Sequence, residues 1–218
     1  MSQKIKKGLL LIMSIVMLTP AVRGLAATPK QEALKAYSRW LSNANVQVMP
    51  KNEDIYLLDG WTKYTRPTPA SKTLFAIAYI NNDSIPELIV CNDNKEFYSV
   101  LTYRNGKIVR ASSCGELTTL RGYYSKTGVY MDSKSVRFSP FKTMYYVMGT
   151  NSTSHRFEVD AYEDAATRYY YFTKNRVMTS LANRTMFKSK LETFTKGKAL
   201  TPVKYYRNTA ANRKNILK

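Results

Sequence analysis

The stretch Phe75-Ala-Ile-Ala-Tyr-Ile-Asn-Asn-Asp-Ser-Ile-Pro-Glu-Leu-Ile-Val90 joins two apolar runs through a short polar segment. Both runs are rich in β-branched or aromatic residues, as β-strands are. The polar segment carries Asn81, Asp83 and Glu87. So short a connection suits neighbouring antiparallel strands and not a βαβ unit. The stretch therefore predicts a β-hairpin with an oxygen-rich loop, and it decides the fold class.

More strands follow at short intervals. The pair Asn105-Gly106 is typical of a type I′ hairpin turn. The first group of predicted strands covers residues 73–80, 87–91, 96–104 and 107–112. A second group covers residues 127–131, 143–149, 154–161 and 167–172, with Gly122, Gly128 and Asn151 as turn residues. The short connections predict an antiparallel meander.

Three helices are expected around these strands. Thr28, Pro29 and Gln31 form a capping-box sequence that starts the first helix, which should end near Asn43. A second helix is predicted over residues 179–195 and a short basic one over residues 210–217, while residues 45–72 remain unassigned. The sequence thus predicts one α+β domain over residues 27–218, an antiparallel β meander or curved sheet with an N-terminal helix and C-terminal helices.

Residues 1–26 have the features of a signal peptide. Three lysines precede an apolar stretch that ends at Pro20, and Gly24-Leu25-Ala26 offers small residues for cleavage. The apolar stretch of about 11 residues is short for a membrane span, which needs roughly 20. Retention of the leader as an N-terminal anchor stays open. We expect the mature chain to be secreted, and association with the cell wall stays open.

The chain is strongly basic, with a formal net charge of +19, and removal of the four basic residues of the leader leaves +15. Such a charge favours polyanionic partners. For an exported protein, an anionic cell-wall polymer or a membrane surface is a nearer partner than nucleic acid. The alternative is that the charge keeps a tyrosine-rich surface soluble. The oligomeric state is left open.

The loop of the opening stretch offers Asn81, Asp83 and Glu87 as candidate cation ligands. Calcium prefers six to eight oxygens, and loops that bind it use glycine at the sharp turn. Here Tyr79 stands at the first ligand position and Ser84 at the glycine position. The alternative is a tight turn closed by Asn and Asp side chains. We expect this turn, with the loop empty and no cofactor.

This loop resembles the Asp-x-Asn-x-Asp-Gly-x-Pro-Glu-Leu element of a family of small secreted, largely uncharacterised proteins of Gram-positive gut bacteria. It is also similar to FG-GAP and dockerin-type calcium loops. Residues 103–107, Tyr-Arg-Asn-Gly-Lys, resemble the hairpin that tends to follow, and residues 205–209 resemble the end of such chains. The resemblance implies a secreted domain without established chemistry, with a degenerate calcium loop.

The two cysteines, Cys91 and Cys114, are candidates for one disulfide, as suits an exported protein. If Arg104 pairs with Lys107, residue 114 lies opposite Phe97, and both sulfurs flank one central strand. Two strand spacings of about 4.8 Å exceed normal disulfide reach unless the chain ends curl inward. The sequence therefore does not decide whether the disulfide forms.

No residue is predicted to be catalytic. His155 is the only histidine, and no Gly-x-Ser-x-Gly motif surrounds a nucleophile. A cysteine paired with His155 would lack a family signature. Carboxylate pairs are harder to exclude, such as Glu158 with Asp160 on a strand, or Glu163 with Asp164 on an expected turn. A secreted hydrolase with a carboxylate site therefore remains an alternative.

A binding function has more support, because tyrosine clusters lie near basic residues. In a strand, adjacent tyrosines should give one core ring and one exposed ring, suited to stacking. The clusters are Tyr123-Tyr124, Tyr145-Tyr146, residues 169–171 and Tyr205-Tyr206. The candidate polyanion-binding residues are Arg121, Lys142, Arg168, Lys174, Lys204 and Arg207. We predict a non-catalytic domain that binds an anionic envelope polymer, with a protein-interaction module as a further alternative.

Overall fold

The structure, a computed structural model, describes residues 27–57, 60–115, 117–136, 139–148, 157–164, 169–174 and 177–218. The predicted leader and His155 lie outside these residues. The described helices are α1 (Pro29–Leu41), α2 (Arg184–Thr195) and α3 (Ala210–Ile216), with a 3-10 turn at Ala70–Lys72. The described strands are β1 (Asn45–Val46), β2 (Asp54–Leu57), β3 (Gly60–Lys63), β4 (Thr68–Pro69), β5 (Thr73–Ala78), β6 (Glu87–Asn92), β7 (Tyr98–Arg104), β8 (Lys107–Cys114), β9 (Thr118–Tyr124), β10 (Val129–Val136), β11 (Ser139–Met148), β12 (Phe157–Asp164), β13 (Tyr169–Lys174), β14 (Val177–Leu181), β15 (Leu200–Pro202) and β16 (Tyr206–Arg207).

The predicted α+β class is confirmed, with an N-terminal helix, C-terminal helices and antiparallel strands. In the described parts of the chain every strand pair is antiparallel. The strands form two larger sheets and two small ribbons, which are β1 with β4 and β2 with β3. The ribbons occupy the segment that the sequence left unassigned. No described helix has the length and apolarity that a membrane crossing requires.

Helix α1 begins as the sequence predicts. The Gln31 amide N–H donates to the Thr28 hydroxyl, and the Thr28 N–H donates to the Gln31 side chain, at 3.3 and 2.9 Å. This reciprocal capping box satisfies two backbone donors at the helix start. The apolar face of α1, which includes Leu34, Tyr37 and Leu41, is buried. It packs against the five-stranded sheet.

The five-stranded sheet has the order β16-β5-β6-β7-β8. Its β7–β8 hairpin turns at Asn105 and Gly106, whose φ angles of 49° and 76° fit the predicted type I′ turn. Strand β6 is central and buried along its whole length. Because successive side chains alternate between faces, β6 sends Leu88 and Val90 into the core under α1 and Ile89 and Cys91 into a second core.

The seven-stranded sheet has the order β14-β13-β12-β11-β10-β9-β15. Leu120 of β9 and Tyr130 of β10 are fully buried in the second core, where they pack with Ile89 and Val100 of the five-stranded sheet. This second core lies between the two larger sheets. At the other end of the seven-stranded sheet, Phe187 of α2 packs against Tyr170 of β13, with ring centroids 5.7 Å apart.

Three local predictions were wrong. Gly122 lies inside β9 and not at a turn; a Cβ there would come within 2.8 Å of Leu200, so glycine permits the close approach of β15. The second helix starts after the cap Asn183, because the residues before it pair with β13 as strand β14. Glu163 and Asp164 lie in β12 and not on a turn. Tertiary pairing overrides local propensity at all three sites.

Candidate functional site

The C-terminal segment 196–207, here called the basic strap, connects the edges of both larger sheets. Its first part, β15, pairs with β9 of the seven-stranded sheet, and the Val203 N–H donates to the Arg121 carbonyl at 3.0 Å. Its last part, β16, pairs with β5 of the five-stranded sheet. The Asn208 side chain then donates to the Leu41 carbonyl of α1 at 2.8 Å. The strap therefore has a fixed path across the molecule.

Positive charge is concentrated in this part of the chain. Residues 193–218 contain seven basic residues and no acidic one. The strap contains four basic residues, and two more lie beside it; all six side chains are exposed. The strap residues are Lys196, Lys198, Lys204 and Arg207, and the neighbouring ones are Lys95 and Arg121. Within the described part of the chain, none of these six side chains forms an ion pair with a carboxylate. Their charge is therefore available to an anionic ligand.

Three of the predicted polyanion-binding residues, Arg121, Lys204 and Arg207, lie on or beside the strap and are exposed. Lys142 lies in β11, opposite Asp164 of β12 in the strand register. Lys174 ends β13, opposite Val159. Arg168 lies outside the described residues. The structure thus brings three of the six predicted residues together at the strap.

Sequence reasoning missed Lys95, Lys196 and Lys198. Lys95 lies 110 positions before Tyr205, yet its ammonium group stands 5.2 Å from the centroid of that ring. No local pattern reveals such a long-range contact. Lys196 and Lys198 could have been found from the segment after Glu192, which contains several basic residues and no acidic one.

The tyrosines near the strap do not provide the predicted exposed rings. Both rings of Tyr123-Tyr124 and both rings of Tyr205-Tyr206 are half-buried, so the expectation of one exposed ring per pair is wrong there. Tyr206 packs with Phe75 under α1, whereas Tyr205 packs in the core between the sheets. Lys204 lies 5.4 Å from the centroid of the Tyr206 ring. These rings position lysines and do not form a stacking platform.

The candidate cation loop between β5 and β6 uses its side-chain oxygens to hold its own backbone. The Asp83 N–H donates to Asn81 Oδ1 at 3.0 Å, and the Ile85 N–H donates to Asp83 Oδ1 at 2.8 Å. These are the hydrogen bonds of a tight turn. Among the described residues, no group of three or more His, Cys, Asp or Glu side chains is placed to hold a metal ion. The empty loop stays a prediction.

Glu87, the third candidate ligand, is completely buried. Its Oε2 accepts a hydrogen bond from the Ile80 N–H at 2.9 Å, while Oε1 has no partner among the described residues. Burial is the main cause that raises its pKa to about 8, and the nearby Asp83 raises it further. At neutral pH this carboxyl group is therefore mostly protonated. A neutral carboxyl is a poor calcium ligand, which agrees with the turn interpretation.

Two tyrosine hydroxyls connect the larger sheets across their shared core. Tyr98 of β7 donates to Asp132 Oδ2, and Tyr130 of β10 donates to the Ser112 hydroxyl, both at 2.7 Å. All four side chains are buried, and in such surroundings a lost partner costs more than at the surface. These bonds fix the position of one sheet on the other, and with it the path of the strap. Sequence reasoning did not identify them.

Cys91 and Cys114 are both thiols, and both lie beside Tyr98. Arg104 pairs with Lys107 as assumed, but a β-bulge shifts the β7–β8 register by one residue, so Cys114 faces Tyr98 and not Phe97. The two cysteines are thus separated by two strand spacings of about 4.8 Å each, whereas a disulfide needs Cα atoms within about 7 Å. With Cys91, Tyr98 and Cys114 side by side on neighbouring strands, a disulfide could form only if the strand pairing at Tyr98 were broken.

The thiols should remain reduced in the folded protein. Burial raises the pKa of Cys91 to about 12, so its thiolate is scarce at neutral pH. We expect a maleimide reagent to modify the half-buried Cys114 in the native state and Cys91 only after unfolding. Intact mass measured before and after denaturation counts the adducts, and Cys114→Ser should remove the native one. An intact mass two units low, with no adduct after denaturation, would contradict this prediction.

None of the protein-family models, curated proteins or solved structures compared with the chain matches it. The resemblance to small secreted Gram-positive proteins therefore stays a prediction.

Proposed function

We propose that the protein is an exported, non-catalytic domain that binds an anionic polymer of the cell envelope along its basic strap. The observation that carries this proposal is the set of exposed basic side chains on and beside the strap that form no ion pair within the described residues. The resemblance to secreted Gram-positive proteins supports the compartment.

The shape of the surface favours a long ligand. The strap joins the edge of one larger sheet to the edge of the other, and its four basic residues are divided along this path. Lys196 and Lys198 precede β15, whereas Lys204 and Arg207 lie at the β16 end of the strap. A small anion would meet one or two of them, whereas an extended polyanion could meet most of them at once. Several weak ionic contacts in parallel would give a high overall affinity.

The chemistry of the described residues gives little support to the hydrolase alternative. Cys91 is buried with a raised pKa, and the buried Glu87 accepts a hydrogen bond from the Ile80 N–H. The predicted pair Glu163 and Asp164 lies in a regular strand. No observation favours a particular reaction.

The test is binding of residues 27–218 to purified cell walls, with and without their anionic polymers, over a salt series. The strap variant Lys196→Gln, Lys198→Gln, Lys204→Gln, Arg207→Gln removes four charges and leaves the backbone pairing in place. The matched control, Lys35→Gln, Lys51→Gln, Arg66→Gln, Lys107→Gln, removes four exposed charges elsewhere. Since a basic residue near an anionic surface contributes up to about 1 kcal/mol, we expect at least a tenfold loss for the strap variant and little loss for the control.

Wild-type binding should need the anionic polymers and weaken as salt rises, because salt competes for ionic contacts. Equal losses in the two variants would mean that only net charge matters. Absence of binding, or binding that does not change with salt concentration, would mean that the positive charge serves solubility. Protein partners would then be the ligands to test.

A further inference from the structure

Lys95 and Arg121 both lie beside the strap, and each side chain has a contact that limits its movement. The Tyr205 hydroxyl donates to the Leu120 carbonyl at 3.0 Å, so the ring has a fixed position. The Lys95 ammonium group lies 5.2 Å from the centroid of this ring, within cation–π distance. The Thr119 hydroxyl also donates to the Lys95 carbonyl at 2.9 Å, which ties the Lys95 loop to β9.

Arg121 is positioned by a β-bulge. Met131 faces Gly122 and Asp132 faces Leu120, so Arg121 is the extra residue of β9. A bulge redirects its side chain out of the regular ladder. The Arg121 Nε then donates to the Ser133 hydroxyl at 2.6 Å. Within the described residues its two Nη groups make no hydrogen bond, and the side chain is exposed.

We propose that Lys95 and Arg121 form a phosphate-binding subsite beside the basic strap. The inference rests on the proposed function and specifies its ligand as a polymer with phosphodiester groups. A guanidinium group with two outward nitrogens can donate two parallel hydrogen bonds to one phosphate, and a lysine adds a point charge. Both side chains are already positioned in the protein, so less conformational freedom is lost when a ligand binds. Among the strap lysines, Lys204 is also held beside a ring, that of Tyr206, whereas Lys196 and Lys198 have no such contact within the described residues.

The experiment compares binding of inorganic polyphosphate and poly-aspartate, matched in length, to residues 27–218 at constant salt. We expect the wild type to prefer polyphosphate by about fivefold or more. The Arg121 fork can pair with a carboxylate as well as with a phosphate, but a tetrahedral phosphate also presents oxygen lone pairs to Lys95 outside the plane of the fork. Arg121→Lys keeps the charge but should lose most of this preference. Arg66→Lys makes the same change at an exposed residue that is not part of the strap, and this variant should keep the preference for polyphosphate. The four-residue strap variant should weaken binding of both polymers to a similar extent.

Equal binding of the two polymers by the wild type, or an unchanged preference in Arg121→Lys, would overturn the subsite and leave the proposed function standing. Failure to bind either polymer or cell walls would overturn both the subsite and the proposed function.

Phosphodiester groups also occur in lipid headgroups, so vesicles with phosphatidylglycerol form a separate arm of the experiment. Binding to these vesicles without binding to polymer-containing walls would overturn the assignment to a wall polymer. Binding to walls that is lost in Lys95→Gln, Arg121→Lys would support it.

Discussion

Raising the pH from 5 to 9 is expected to lower the free energy of unfolding by about 3–5 kcal/mol through Glu87 alone, at roughly 1.4 kcal/mol per pKa unit. The pKa of this carboxyl is raised from 4.5 to about 8 in the folded protein, chiefly by burial. Between these two values the folded chain holds a proton that the unfolded chain has lost. The contribution to stability is therefore complete below pH 4.5, falls as the pH rises, and is lost above pH 8.

The measurement is urea unfolding at a series of pH values for wild type and Glu87→Gln. The glutamine is neutral at every pH and can still accept the hydrogen bond from the Ile80 N–H. The variant should match the wild type within about 1 kcal/mol at pH 5 and exceed its stability by several kcal/mol at pH 9.

The control is Glu32→Gln, on the exposed first turn of α1, which should keep the pH dependence of the wild type. Parallel pH curves for wild type and Glu87→Gln would show that the carboxyl is ionised in the fold. In that case the loop would also regain a charged oxygen ligand, and the calcium interpretation would become stronger.

Replacing Arg110 by alanine is expected to cost about 3 kcal/mol of stability, since it removes three hydrogen bonds of a largely buried, charged guanidinium group. Arg110 of β8 donates to the carbonyls of Gln47 and Val48 and to the Ser99 hydroxyl. Val48 and Ser99 are completely buried. Burial lowers the Arg110 pKa to about 10, so the group remains charged at neutral pH. One guanidinium therefore fastens residues 47–49 to the five-stranded sheet.

Chemical unfolding of Arg110→Ala, Arg110→Lys and Arg104→Ala tests this role. Lysine keeps the charge but not the planar fork, and we expect it to recover about half of the loss. Arg104 lies on the same hairpin and its side chain forms no hydrogen bond within the described residues, so its alanine variant should lie within about 0.5 kcal/mol of wild type. A loss in Arg110→Ala no larger than that of Arg104→Ala would show that other contacts hold this segment.

Features that depend on near neighbours were predictable from the sequence. The capping box of Thr28 and Gln31 and the Asn105-Gly106 turn were found at their predicted positions. The α+β class followed from these signals and from the close succession of apolar strands. Each of these structures is set by contacts within a few residues, which the sequence shows directly.

The candidate site was only partly predictable. The basic character of the chain and the residues Arg121, Lys204 and Arg207 were found from composition and spacing. Their combination with Lys95 was not, because a lysine and a ring 110 positions apart meet only after both sheets have formed. The sequence placed both cysteines beside one central strand, but it missed the register, since one bulge moves Cys114 from Phe97 to Tyr98.

By itself, then, the sequence determined the helix start at Thr28, the hairpin at Asn105 and Gly106, and a charge of +19. Only the tertiary structure decided which cations stand together, why Glu87 is neutral, and what Arg110 holds. The physical reason is that burial, bulges and strand register arise from the packing of distant segments. A burial-raised pKa or a fixed cation exists only where that packing removes water or restricts a side chain.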